Sequence, residues 1–208
     1  ADLENLMNES AIHCARDQSK VIDDLHIENA LDKMTIGLRT SIISSLNMKK
    51  IIAYNEVGRA IVSAVKNGIE SVEKITILPR GGYIGGYTKI SPDEDVVSSG
   101  LISKKSLLSK IEIALAGRAA EIIVFGKNEI TQCSVNDISF ATNIVREMVT
   151  KYGFSIIGPV SLDSENNELL IGDGFLRKKS VIADNTYSII DNEIINISKI
   201  SLNNAIDI

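Results

Sequence analysis

Long stretches of helical periodicity dominate this chain and limit its fold more than any other feature. From Asp2 to Arg16 the apolar residues Leu3, Leu6, Met7, Ala11 and Cys14 recur at the spacing of one helical face. Asp23 or Asp24 is placed to cap a second helix running to about Leu38. A third helix is predicted from Met48 to Asn67, stopped near Gly68. Further helices are expected over Ser103 to Phe125, Val135 to Tyr152 and Asp184 to Ile208, the last still apolar at its final position. β-Branched runs predict strands at Ser71 to Leu78 and Tyr83 to Ile90, with Gly81-Gly82 at the turn. Ser91-Pro92-Asp93 opens a loop, and the polar, glycine-containing Asp163 to Lys179 predicts a mobile one. The expected fold class is mainly α with one small β-hairpin or sheet.

Composition narrows what such a fold can do. With 208 residues, 44% of them hydrophobic, the chain can supply the core of one or two domains. No apolar run approaches the ~20 residues that span a bilayer, and the polar first residues show no signal peptide. The net charge is −5 and the Lys and Arg residues are scattered, which argues against a nucleic-acid surface. Cys14 and Cys133 lie far apart in different segments. Two reduced thiols in a reducing compartment are expected, rather than a disulfide or metal pair.

The third helix carries Asn55-Glu56-Val57-Gly58-Arg59. On a helix, H-E-x-x-H projects two imidazoles from one face to bind zinc, and its glutamate takes a proton from metal-bound water. This chain keeps that glutamate, with asparagine and arginine at the ligand positions. A neutral amide is a poor zinc ligand, and a guanidinium has no lone pair to offer. By itself N-E-x-x-R describes any amphipathic helix with a polar face, so its meaning rests on the flanking chain.

Those flanks resemble the FtsH family of membrane-anchored, ATP-dependent zinc proteases. Ala53-Tyr54-Asn55-Glu56-Val57-Gly58-Arg59-Ala60 stands where the family has A-Y-H-E-x-G-H-A. Lys74-Ile75-Thr76-Ile77-Leu78-Pro79-Arg80-Gly81 is similar to its strand ending in Pro-Arg-Gly. Ala116-Gly117-Arg118-Ala119-Ala120-Glu121-Ile122, with Phe125-Gly126 beyond, resembles G-G-R-A-A-E-E. Thr131-Gln132-Cys133-Ser134-Val135-Asn136-Asp137, then Ala141-Thr142, resembles the T-G-A-S-N-D-x-x-x-A-T segment that holds the third zinc ligand. Met148-Val149-Thr150-Lys151-Tyr152-Gly153 and Gly158-Pro159 continue the match in order. The opening Ala1 to Ala11 looks like the A-D-L-x-N-L-x-N-E-A-A helix of the family's ATPase lid. Plastid-type members look nearest, on Glu165 to Arg177 and its spacing.

The resemblance implies the end of an AAA ATPase lid over residues 1–38, a linker over 39–47, and an FtsH-type peptidase domain, C-terminally truncated, over 48–208. It places the general base at Glu56, the third metal ligand at Asp137, degenerate ligand positions at Asn55 and Arg59, and a substrate-binding strand region at Gly82, Tyr83 and Ile84. The sequence's two histidines, His13 and His26, fall in the lid segment, so the peptidase segment has none. No cofactor is therefore expected here, although active relatives bind zinc, and ATP and magnesium belong to an ATPase core that would lie upstream with the membrane anchor. No G-x-x-x-x-G-K-[ST] phosphate loop occurs in this sequence. Arg59 is expected to stand in for the zinc by bonding Asp137, Glu56 or both.

The implied function is a proteolytically inactive subunit of a hexameric, membrane-anchored, ATP-driven ring. Its partners would be homologous FtsH-type subunits and unfolded polypeptide or membrane-protein substrates. The location implied is a plastid membrane (thylakoid or inner envelope) on the stromal side, with a bacterial inner membrane as the alternative. The alternative function is an active ATP-dependent zinc metalloendopeptidase of membrane-protein quality control with an unusual metal site.

Overall fold

The computed structural model describes residues 1–35, 37–38, 45–66, 70–79, 85–92, 98–162 and 184–208. Among these the chain is mainly helical, with helices α1 (Asp2–Arg16), α2 (Asp24–Thr35), α3 (Leu46–Val65), α4 (Lys104–Phe125), α5 (Val135–Thr150) and α6 (Asp184–Asp207). A two-stranded antiparallel sheet pairs β1 (Glu70–Thr76) with β2 (Tyr87–Pro92). The expected mainly α class is thus observed. None of the described helices is long and apolar enough to cross a membrane.

Two compact units divide the chain: Ala1–Ala53 with Thr76–Tyr87, and Tyr54–Ile75 with Thr88–Ile208. In the first, α1 carries Asp2 and Glu4 in its first turn and Arg16 in its last, each sign suited to the helix dipole there. It ends where Gln18 turns to φ 54° and Ser19 donates its backbone N–H to the Cys14 carbonyl. Asp23 caps α2: its carboxylate accepts from the backbone N–H of His26, and its own N–H donates to His26 Nδ1. His26 is thereby buried as a capping residue. Lys33 bridges back to Glu9, joining the two helices.

The second unit is organised by α4. Ser103 caps it by accepting from the Ser106 N–H, and Gly126, at φ 86°, ends it. Its buried side packs on α5 and α6 through Leu107, Ile111, Leu115, Val145, Met148, Val149, Ile190 and Ile194. Toward α3 the side chains become small. A Cβ at Gly58 would lie 2.6 Å from Ala120 Cβ and 3.0 Å from the Ala116 carbonyl oxygen. Only glycine lets the two backbones approach so closely. Tyr54 and Phe125 close one end of this crossing edge to face, with centroids 5.6 Å apart. Gly58→Ala is expected to lower stability by about 1–3 kcal/mol through overpacking, read from urea unfolding.

Several boundaries differ from expectation for local reasons. Helix α2 ends at Thr35, whose hydroxyl bonds back to the Leu31 carbonyl. Helix α5 ends at Thr150, after which Lys151 and Tyr152 both donate backbone N–H to the Glu147 carbonyl. Strand β2 runs through Pro92 rather than breaking into a loop at Ser91. In a two-stranded sheet each strand has a free edge, where a missing N–H costs no ladder bond. The predicted turn at Gly81-Gly82, the stop at Gly68, residues 39–44 of the expected 39–47 linker and the loop Asp163 to Lys179 lie outside the described residues, while Leu46 and Asn47 of that linker already belong to α3.

Candidate functional site

Helix α3 turns Asn55, Glu56 and Arg59 toward the interior of the second unit, since positions three and four apart share a helical face. Asn55 and Glu56 are buried, at 2% and 4% exposure. Arg59 and Asp137, the latter in the first turn of α5, are mostly buried. The structure therefore brings together four residues that the sequence marked: Asn55, Glu56, Arg59 and Asp137. The expected substrate-strand residues Gly82, Tyr83 and Ile84 lie outside the described residues.

Arg59 holds the centre. Its Nη1 donates to Asp137 Oδ1 at 2.7 Å, and its Nη2 donates to Glu56 Oε2. One guanidinium thus bonds both carboxylates and ties α3 to α5. On β2, Thr88 donates its hydroxyl to the same Glu56 oxygen at 2.6 Å. Burial pushes the Asp137 carboxyl above its ordinary range; the Arg59 charge pulls it back, and the Glu56 charge adds to the rise.

Asn55 points elsewhere. Its amide nitrogen donates to Glu121 Oε1 at 2.7 Å and to Ser134 Oγ at 2.8 Å. Glu121 and Ser134 are both fully buried. The second Glu121 oxygen accepts from the Thr131 N–H at 2.7 Å, and the Thr131 hydroxyl lies 3.2 Å from both oxygens. Glycine at 117 makes room, because a Cβ there would stand 2.4 Å from Asn55 Oδ1. Sequence reasoning quoted Glu121, Thr131 and Ser134 without giving them roles, and it missed Thr88. The available signal was a carboxylate at Glu121 inside the otherwise apolar stretch Ala119 to Val124.

Residues 42–208 match peptidase family M41. The chain belongs to this family, the FtsH metalloproteases. It is 38% identical to an "ATP-dependent zinc metalloprotease FtsH" of Trieres chinensis over 208 residues, all of this chain and 32% of that one. A protein of the same name from Cyanidium caldarium is 41% identical over 172 residues, 83% of this chain and 27% of the relative. "ATP-dependent zinc metalloprotease FtsH 3" of Synechocystis sp. is 36% identical over 196 residues, 93% and 32% of the two chains. The FtsH-family chain described here thus spans about a third of the length of these curated relatives.

Zinc, named in those relatives, does not fit the residues present. A tetrahedral site needs lone pairs from imidazole, thiolate or carboxylate. At position 55 this family member turns an N–H₂ group toward two acceptors, and at position 59 it presents a cation. Both orientations aim positive hydrogen atoms at carboxylates. Among the described residues no three His, Cys, Asp or Glu side chains are grouped to hold a metal ion.

Proposed function

We propose that this chain is a non-cleaving, FtsH-type pseudoprotease subunit. The observation that carries the reading is the Arg59 guanidinium bonded to both Glu56 and Asp137. A general base must be free to accept a proton from water. Glu56 Oε2 already accepts from Arg59 and from Thr88. Without a metal to lower its pKa, water is too weak a nucleophile for amide hydrolysis, so Glu56 has nothing to activate. What remains is a structured domain able to complete a ring of homologous FtsH-type subunits and to handle or translocate unfolded polypeptide or membrane-protein substrates.

In this reading residues 1–38 end an ATPase lid, 39–47 link, and 48–208 form the peptidase domain; the M41 match over residues 42–208 supports the peptidase part of that division alone. An anchor elsewhere in the full protein attaches it to a plastid membrane on the stromal side, or to a bacterial inner membrane. The rival is an active zinc metalloendopeptidase, which the names of the relatives favour.

Zinc content by elemental analysis, measured with casein cleavage on the same sample, separates the two. The expected result is neither zinc nor cleavage in the parent chain, with zinc recovered in an Asn55→His/Arg59→His variant. About one zinc per chain with chelator-sensitive cleavage in the parent would overturn the proposal.

A further inference from the structure

We infer that Arg59 is a built-in structural cation, which makes this domain's stability independent of any bound metal. The inference rests on the reading above that zinc does not occupy this place, and goes beyond it to what holds the fold together there. Glu56 on α3 and Asp137 on α5 both converge on Arg59, and burial makes two uncompensated carboxylates expensive. A divalent ion bound between them would neutralise both charges and cross-link the helices. A guanidinium performs the same two tasks with one charge and two forked bonds.

The fork is tied to the chain by covalent bonds, so it cannot be chelated or diluted away. Neither oxygen of the Asn55 network takes part: Asn55 bonds Glu121 and Ser134, and Arg59 bonds the other two carboxylates. Asn55 therefore ties α3 to Glu121 on α4 and to Ser134 at the N-cap of α5, while Arg59 ties α3 to Asp137 within α5. Replacing the guanidinium by an uncharged side chain leaves a pair of carboxylates with no cation, a site of the oxygen chemistry that favours Ca²⁺ or Mg²⁺.

Thermal unfolding of the 208-residue chain tests this, with EDTA or Ca²⁺ as the probes. The parent is expected to melt at the same temperature in millimolar EDTA and in millimolar Ca²⁺. Arg59→Met should lose on the order of 10 °C and regain part of it with Ca²⁺. The triple variant E56Q/R59M/D137N should melt well above Arg59→Met and ignore Ca²⁺, because it has no charge left to compensate. An Arg59→Met protein that fails to fold, beside a folded triple variant, supports the same conclusion. A parent destabilised by EDTA, an Arg59→Met protein as stable as the parent, or a triple variant no better than Arg59→Met would each overturn it. These outcomes are distinct from failure of the functional proposal, which is read from zinc content and cleavage in the unaltered chain.

Discussion

Glu121→Ala is expected to destabilise the domain by about 3–5 kcal/mol, the largest single-site loss outside the hydrophobic core. Glu121 is fully buried and accepts from the Asn55 amide, the Thr131 backbone N–H and the Thr131 hydroxyl. Truncation strands those donors away from water, at about 1–3 kcal/mol for each that finds no substitute, and leaves a void beside Gly117. Asn55 retains Ser134, so its own loss is partial. Urea unfolding of Glu121→Ala, Asn55→Ala and the double variant measures the coupling. The double variant should lose clearly less than the sum of the singles, because removing both partners leaves no stranded amide. Strict additivity would show that the Asn55–Glu121 bond carries little. Glu121→Gln is informative too: one orientation faces two N–H₂ groups together, so this close isostere should still be destabilised.

Ile111→Ala should cost about 2–5 kcal/mol. Ile111 has no exposed surface and sits in the cluster that joins α4 to α5 and α6. Its neighbours include Leu107, Leu115, Val145 and Met148, which are held by their own helices and cannot collapse fully into the gap. The midpoint of thermal unfolding should fall by about 2–4 °C for each kcal/mol lost, as expected for a chain of this size. A loss much below this range would mean that the cluster relaxes around the cavity. Exposed positions on the same helix, such as Ile123, should change stability by only about 0.5 kcal/mol on the same substitution.

The helices were legible because each carries a face written at helical spacing. Asp2–Arg16 fell at its expected bounds, and Asp23 was correctly one of two candidate caps. The phase of α3 also puts Asn55, Glu56 and Arg59 on one side from the sequence alone. The pairing of Arg59 with Asp137 rested on the FtsH resemblance, which brings Asp137 beside Glu56; two carboxylates placed together then call for a cation. The partners of Asn55 did not follow, since nothing in a linear pattern says that Glu121 and Ser134 converge on one amide. That convergence depends on how far α4 slides along α3, and the sliding is set by the contact of Gly58 with Ala116 and Ala120. The loop expected at Ser91-Pro92-Asp93 illustrates the opposite failure, where local proline chemistry was overruled by a strand with a free edge.

The polar cross-links of this domain join residues remote in the chain: 66 positions separate Asn55 from Glu121, 78 separate Arg59 from Asp137, and 92 separate Glu112 from Asn204. Closing loops of that length carries an entropy cost that must be met before any of these bonds can form. The apolar cluster that joins α4, α5 and α6 spans similar distances along the chain, so its packing carries the same cost. The centre formed by Glu56, Arg59 and Asp137 closes fully only where the helices that carry it meet in one register. A chain that packs its helices in the wrong register keeps the Glu56–Arg59 pair, three positions apart on α3, but leaves Asp137 without its guanidinium.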